Sequence, residues 1–409
     1  MTADAIELNE SNLSSFAAGA PARARLVMRA LIGLPLGSLR VTVPNGRSFR
    51  VGGSAPGPSA EVRLNNWRLP GRAFSGGTIG LAESYMDGDW DSPDVTSFLE
   101  LFVRNERQGE EMAGGASWLL TVFQRLRHWL NENTIKGSRR NIAAHYDLGN
   151  EFYRLWLDPG MTYSSALFAA GAIDLESAQN EKYRALARDA GITGSDHVLE
   201  IGCGWGGFAS FAAREIGCRV TGLTVSREQF DFARARLQRE GLSDKVELKL
   251  QDYREETGRY DKAISIEMFE AVGEKYWRTF FAKLRDCLKP GGAAGMQIIT
   301  INERSFPAYR AQPDFIQRYV FPGGMLPTPA RLRSLGAEHG LALASERIFP
   351  QDYARTLREW RERFWRAWHN IVPLGFDERF RKLWEFYLFY CEAGFRAEYI
   401  DVRQVIYRA

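Results

Sequence analysis

The stretch Val198-Leu199-Glu200-Ile201-Gly202-Cys203-Gly204-Trp205-Gly206-Gly207-Phe208 constrains this chain more than any other. A short apolar strand runs straight into a glycine-rich turn and then into an apolar helix start. Glycines let the backbone bend sharply and let a ligand approach it closely. In an open α/β sheet such a turn lies at the carboxyl end of the first strand, where these sheets bind their ligands.

The residues downstream supply the sheet. Strands are predicted over 196–201, 219–224, 246–250, 262–266 and 293–301, with helices over 208–215, 227–240 and 274–288 between them. Pro290-Gly291-Gly292 is expected to end the last of these helices. This alternation predicts a doubly wound α/β sheet. Upstream, residues 1–105 form short apolar runs separated by turn formers such as Val43-Pro44-Asn45-Gly46 and Phe74-Ser75-Gly76-Gly77. Residues 106–140 differ again: a polar, Gly-containing stretch precedes Trp118, Leu119, Val122, Phe123, Leu126, Trp129 and Leu130 at helical spacing. Arg125, Arg127, Lys136, Arg139 and Arg140 accompany them. A linker with an amphipathic helix is expected there, packed on its own protein or laid on an anionic membrane. The domains are therefore placed at 1–105, 106–140 and 141–409.

Composition excludes several classes. The 409 residues carry 53 basic and 50 acidic side chains, a balance that gives no reason to expect nucleic acid. The four cysteines, Cys203, Cys218, Cys287 and Cys391, form no C-x-x-C pair. No metal site is expected, and the thiols suit a reducing, cytoplasmic setting. No apolar run reaches the ~18 residues of a membrane span, and the acidic start is unlike a secretory signal.

Gly202, Gly204 and Gly207 satisfy G-x-G-x-x-G. A dinucleotide would also need an acid about 20 residues on, at the end of the second strand, to hold a ribose. That strand ends in Gly222-Leu223-Thr224-Val225-Ser226, without one. Glu200 instead precedes the glycines and Asp252 follows the third strand. Acids in those places suit a ligand with an amino group and an adenine but no pyrophosphate. S-adenosylmethionine is such a ligand, so a methyltransferase is expected over a dehydrogenase.

His145-Tyr146-Asp147-Leu148-Gly149-Asn150, Thr162-Tyr163-Ser164 and Gly222-Leu223-Thr224-x-Ser226-x-x-Gln229 extend the pattern. Met268-Phe269-Glu270-Ala271-Val272-Gly273, Phe321-Pro322-Gly323-Gly324 and Tyr390-Cys391-Glu392-x-Gly394-Phe395-Arg396 follow. Together these motifs resemble the cyclopropane fatty acid synthase family from about residue 140 onward. Gly80-x-x-Glu83-Ser84-Tyr85-Met86-Asp87-Gly88 is similar, more loosely, to that family's N-terminal lipid-binding domain. The resemblance implies a class I S-adenosylmethionine-dependent methyltransferase fold with a smaller α+β lipid-binding domain. It implies methyl transfer to the cis double bond of an unsaturated acyl chain in membrane phospholipid. The enzyme would be a homodimer, peripheral on the cytoplasmic face of the membrane. Tyr163, Ser164, Gly202, Gly204, Thr224, Gln229, Asp252 and Tyr253 would line the cofactor site. Taken alone, Thr224 and Gln229 read equally well as supports for the helix start at Ser226, and Tyr163 as core.

Methyl transfer to an alkene leaves a carbocation, which aromatic faces stabilise and water would trap. Aromatic clusters stand at Phe152-Tyr153-x-x-Trp156, Trp360-x-x-x-Phe364-Trp365-x-x-Trp368 and Trp384-x-Phe386-Tyr387-x-Phe389-Tyr390. They are candidates for a tunnel lining, although helical aromatic stripes are most often plain core.

The resemblance breaks where it matters for the product. In the family a bicarbonate ion, held by a Cys, a Glu, a His, an Ile backbone and a Tyr, removes a proton from the new methyl. Glu270, Ile299 and Tyr353 match three of these. Ser165 stands for the Cys and Gln297 for the His. A Gln side chain neither titrates nor carries charge, which weakens the case for bicarbonate. The preferred product is a methyl-branched unsaturated chain, with Glu270 or Tyr353 as base and Gln297 and Ser165 beside them. A cyclopropane synthase and a non-catalytic lipid-binding protein are the alternatives.

Overall fold

The computed structural model describes residues 6–112, 148–168 and 171–409. The amphipathic stretch expected over 118–140 and the motif residues His145 to Asp147 lie outside them. The chain divides into two compact units: Met1–Arg140 with Asp314–Arg318 and Gly375–Tyr399, and the remainder.

The first unit is built on a five-stranded sheet. Its strands are β1 (Ile6–Glu7), β2 (Leu36–Thr42), β3 (Ser48–Gly52), β4 (Ala55–Leu64) and β5 (Trp90–Asp91), in the order β1-β3-β2-β4-β5. Two sequence expectations are corrected here. Phe74-Ser75-Gly76-Gly77 is no open turn but part of the helix Arg68–Met86, which breaks at Gly77. Its φ of 54° with ψ of −135° suits glycine, so the turn signal survives as a kink. The polar stretch after Asn105 continues the helix Val95–Met112 through Met112. Asn105 anchors that helix by donating its side-chain amide to the Leu36 and Leu101 carbonyls.

The residues after 141 do not all cluster together. The helix Glu378–Arg396, expected within one continuous C-terminal block, clusters with the first unit. Its carboxylates find their partners there: Tyr85 donates to Glu385 and Thr96 to Glu392. Phe386 packs against Tyr85 and Phe315. Phe386, from the aromatic run 384–390, thus packs within the first unit.

The second unit holds a seven-stranded sheet. Its strands are β6 (His197–Ile201), β7 (Arg219–Thr224), β8 (Val246–Leu250), β9 (Tyr260–Ile266), β10 (Leu288–Ile301), β11 (Ala342–Ile348) and β12 (Ile400–Arg408). Their order is β11-β12-β10-β9-β6-β7-β8, with β12 antiparallel to both neighbours and the ladders from β10 to β8 parallel. The central strands are apolar on both faces because helices cover both sides; Val198, Leu199, Ala263, Ile264, Met296 and Ile298 show no accessible surface. Helix starts carry the caps expected of their sequences. Asp174 and Ser177 form a reciprocal capping pair at Leu175–Ala190, and Ser226 caps Arg227–Arg239. Several boundaries differ from expectation: β9 and β10 begin at Tyr260 and Leu288, and the helix expected over 208–215 is an α-helix only over Gly207–Phe211. The helix Trp277–Asp286 ends before Pro290-Gly291-Gly292, which forms instead a register shift in β10 between Leu288 and Ala293. Strand order reverses between β6 and β9, and that switch opens a crevice at the carboxyl ends of the strands.

Candidate active site

At the crevice the glycine turn follows β6. The Gly202 and Cys203 N–H groups both donate to the Leu223 carbonyl, at 3.0 and 2.8 Å, which ties the turn to β7. Gly202 has a φ of 83°, and a Cβ there would meet the Met268 side chain at 2.7 Å. At Gly204 a Cβ would instead project into open space above the turn. Glu200 lies buried beneath it and accepts the Ala209 N–H, while its Oε2 has no partner. Burial pushes the Glu200 carboxyl up to about 8. An unpartnered buried carboxylate oxygen under a turn with free space above it fits a donor that carries an amino group. Among this chain's residues, Glu200, Gly202 and Gly204 would hold it.

The other residues expected at the cofactor site stand at the ends of the next strands. Thr224 closes β7; its Oγ1 donates to Gln229 Oε1 at 3.2 Å and accepts the Ser226 N–H. Ser226 Oγ in turn accepts the Gln229 N–H. These side chains therefore build the helix start. Asp252 follows β8 and is held by Arg254, whose guanidinium keeps its carboxyl below the usual range. Tyr253 packs on Phe280, with ring centroids 5.4 Å apart.

Tyr163 and Ser164 belong to the segment before the helix Leu175–Ala190, and an aromatic wall surrounds Tyr163. Its ring lies 5.3 Å from Tyr153, 5.8 Å from Trp156 and 5.2 Å from Trp360. Trp205, from the glycine turn itself, joins Tyr153 at 5.1 Å. The two aromatic clusters around 152–156 and 360–368 thus meet beside the turn. Ser164 accepts a hydrogen bond from Lys182, a fully buried ammonium that loss of hydration lowers to about 7.

Three of the four residues expected to be catalytic, Ser165, Gln297 and Tyr353, converge on a residue that sequence reasoning did not single out. Glu267 ends the turn after β9 with Oε1 accepting the Ser165 N–H at 2.8 Å and the Gln297 side-chain amide at 2.7 Å. Its Oε2 accepts the Tyr353 hydroxyl at 2.6 Å. Ser165 contributes its backbone here; its hydroxyl donates to the Ala166 carbonyl. Gln297 is buried in the middle of the sheet, donating also to the Ser165 carbonyl and accepting from Gln404. Glu270 stands one turn on. Its Oε1 accepts the Ile299 N–H at 2.6 Å, and its Oε2 has no partner. Loss of hydration, reinforced by the Glu267 charge, raises the Glu270 carboxyl to about 8. Burial raises Glu267 too, while Lys182 and its three donors pull it back. Glu267, Lys182 and Gln404 carry no motif of their own, and only their positions on neighbouring elements bring them here.

The arrangement can seat a donor on the turn, wall off a cation with aromatic rings and take up a proton. Residues 133–405 match the family described as mycolic acid cyclopropane synthetase. The chain belongs to the cyclopropane synthase family. It is accordingly an S-adenosylmethionine-dependent enzyme of fatty acyl modification, with a class I methyltransferase fold. Among its relatives, a tuberculostearic acid methyltransferase of Mycobacterium tuberculosis is 37% identical, over 95% of this chain and 91% of that one. The cyclopropane-fatty-acyl-phospholipid synthase of Escherichia coli K12 is 34% identical, over 87% and 89%. Among solved structures, the cyclopropane synthase MmaA2 from Mycobacterium tuberculosis matches 68% of this chain and all of its own, at 29% identity and a TM-score of 0.62. The mycolic acid cyclopropane synthase CmaA1, crystallised with SAH and CTAB, matches 66% of this chain and 97% of its own, at 26% identity and a TM-score of 0.61.

Proposed function

We propose that the enzyme transfers the methyl group of S-adenosylmethionine to the cis double bond of an unsaturated acyl chain in phospholipid, and that the product is a methyl-branched unsaturated chain. The observation that carries this reading is the aromatic wall of Tyr153, Trp156, Tyr163, Trp205 and Trp360, which begins on the glycine turn itself. When bound, S-adenosylmethionine supplies an electrophilic methyl on a sulfonium. An alkene is a weak nucleophile, so the chain must hold it in line and at close contact. The aromatic faces then stabilise the cation and keep water from it. Gln297 cannot titrate, which favours loss of a chain proton over ring closure. Relatives named as a tuberculostearic acid methyltransferase and as a cyclopropane-fatty-acyl-phospholipid synthase both support an acyl substrate.

The substrate lies in membranes, and among the described residues no helix is long and apolar enough to cross one. The helix Pro350–Ile371 and the turn after it expose Trp365, Val372 and Leu374 beside Arg358 and Arg366. That surface suits adsorption to an anionic bilayer at the cytoplasmic face.

The test incubates the protein with vesicles of unsaturated phospholipid and a donor whose methyl carries three deuteriums. An alkene formed by loss of a chain proton keeps all three and takes up hydrogen under mild hydrogenation. A product that keeps two and resists hydrogenation is a ring and overturns the proposed product. Lipids left at their original mass overturn the reading as a whole.

A further inference from the structure

Three donors converge on one side chain in this site. The Ser165 N–H, the Gln297 amide and the Tyr353 hydroxyl come from three separate segments, and all point at the carboxylate of Glu267. Such a nest would hold any small carboxylate or carbonate anion; here the chain fills it with its own side chain. The backbone is bent to achieve this. Glu267 has a φ of 49°, a conformation that side-chain-bearing residues rarely adopt. The bend is pinned by the Glu267 N–H donating to the Gln297 carbonyl at 2.8 Å. Strain kept at a site that the surroundings over-determine is a pointer to function.

The neighbouring carboxyl makes the choice of base. Glu270 has a single donor, Ile299, and an unpartnered Oε2. Glu267 has three donors and the Lys182 ammonium in its field. Two carboxyls this close do not both ionise readily, and the charge settles on the one with more donors. Glu267 and Glu270 are both half-buried as residues, whereas Gln297 and Ser165 are sealed.

We propose that Glu267 is the general base of the reaction, a built-in carboxylate standing where a dissociable anion would otherwise be required. This deepens the methyl-transfer reading and rests on it. As the acyl double bond takes the methyl, its π pair becomes the new carbon–carbon bond and the old carbon–sulfur pair stays on sulfur. The acyl chain is left one electron pair short. Glu267 takes a proton from a chain carbon next to the cationic centre, and that carbon–hydrogen pair becomes the double bond of the product. Glu267 is then a carboxylic acid, and it returns its proton to water after the lipid leaves. Tyr353 is a positioning residue that fixes Oε2 through its hydroxyl.

The experiment uses the full-length protein, with Glu267→Gly and Glu267→Gln. Glycine accepts the positive φ and empties the nest; glutamine fills it without a base. Each variant's affinity for S-adenosylmethionine reports whether the fold and donor site survive. Wild-type turnover is expected to be unchanged when dissolved bicarbonate is removed. Both variants are expected to lose roughly a hundredfold or more in turnover, as for loss of a general base. Formate or bicarbonate restores part of the rate to Glu267→Gly and none to Glu267→Gln. Independently of turnover, carbon-13 bicarbonate shows a bound signal with Glu267→Gly and none with the wild type. Wild-type turnover that collapses without bicarbonate, a bound bicarbonate signal in the wild type, or full activity in Glu267→Gln would overturn the assignment. Should Glu267→Gly fail to fold, Glu267→Gln and the wild-type measurements still decide it. A wild type that methylates no lipid defeats the methyl-transfer reading instead, and the bicarbonate signal then still reports what fills the nest.

Discussion

The two ends of the crevice are built in different ways. At the donor end several side-chain bonds join near neighbours in sequence, Thr224 to Gln229, Ser226 to Gln229 and Asp252 to Arg254, with Trp205 to Asn150 the longer reach. At the proton-handling end they span the unit. Ser165 reaches Glu267 across 102 positions, Gln297 reaches Gln404 across 107, and Tyr353 reaches Glu267 across 86. The first end is a set of turns and helix starts that form with their own strands. The second exists only once β9, β10, β12 and the helix Pro350–Ile371 have assembled. Donor binding should therefore survive damage that abolishes the chemistry, while damage at the turn should weaken binding first.

The largest effect that would sharpen this contrast is expected from Glu270→Ala. Removing the carboxyl that holds the Ile299 N–H leaves a gap beside Glu267, and the displaced base should cut methyl transfer roughly a hundredfold, the lower end of the range for lost acid–base groups. S-adenosylmethionine affinity, measured by calorimetry, should stay within a few fold. Equal loss of both would break the distinction between the two ends.

Stability should also depend on pH with a sign set by the buried charges. Folded Glu200 titrates near 8 against 4.5 when unfolded, so the folded state holds the extra proton between those values. Its contribution is complete below 4.5 and is lost as pH rises towards 8, on the order of a few kcal/mol. Lys182 acts oppositely, titrating near 7 when folded against 10.5 unfolded, and so adds stability as pH rises through that window. Denaturant melts of the ligand-free protein should show a decline from pH 5 to 8 that becomes shallower in Glu200→Gln. A variant as steep as the wild type would remove Glu200 from the account.

Gly202→Ala should act on binding alone. The φ of 83° and the approach of Met268 to 2.7 Å leave no room for a methyl group without displacement. The positive φ costs about 1–2 kcal/mol, and affinity for S-adenosylmethionine should fall about tenfold, with turnover at saturating donor little changed. The smallest effect is expected at Asp252→Asn. Arg254 already engages both oxygens of that carboxylate on the partly exposed side of the site, so affinity should fall only a few fold. Loss of turnover at saturating donor in either variant would show that the ends are coupled.

Much of the catalytic unit is readable along the chain. β7 and β8 end where their apolar runs end, and the turn after β6 is a local property of four glycines in six residues. The helix Glu378–Arg396 is not readable in this way. Its aromatic stripe has the same periodicity as the stripe of Pro350–Ile371, yet the two serve different units. Periodicity says which face is buried and is silent on what buries it. Glu267 is likewise invisible, because it stands between Ile266 and Met268 as an acid among many, and its bent backbone has no glycine to announce it.

The sequence alone settled the strand alternation, the glycine turn and the acids flanking it, and with them the sulfonium donor. These are short-range properties: turn geometry, apolar periodicity and spacing along one strand. Tertiary structure decided which carboxyl gathers the three donors. Three donors from distant segments meet on Glu267 only after the sheet closes, and its carboxyl is raised by the hydration it loses and pulled back by the neighbours it gains.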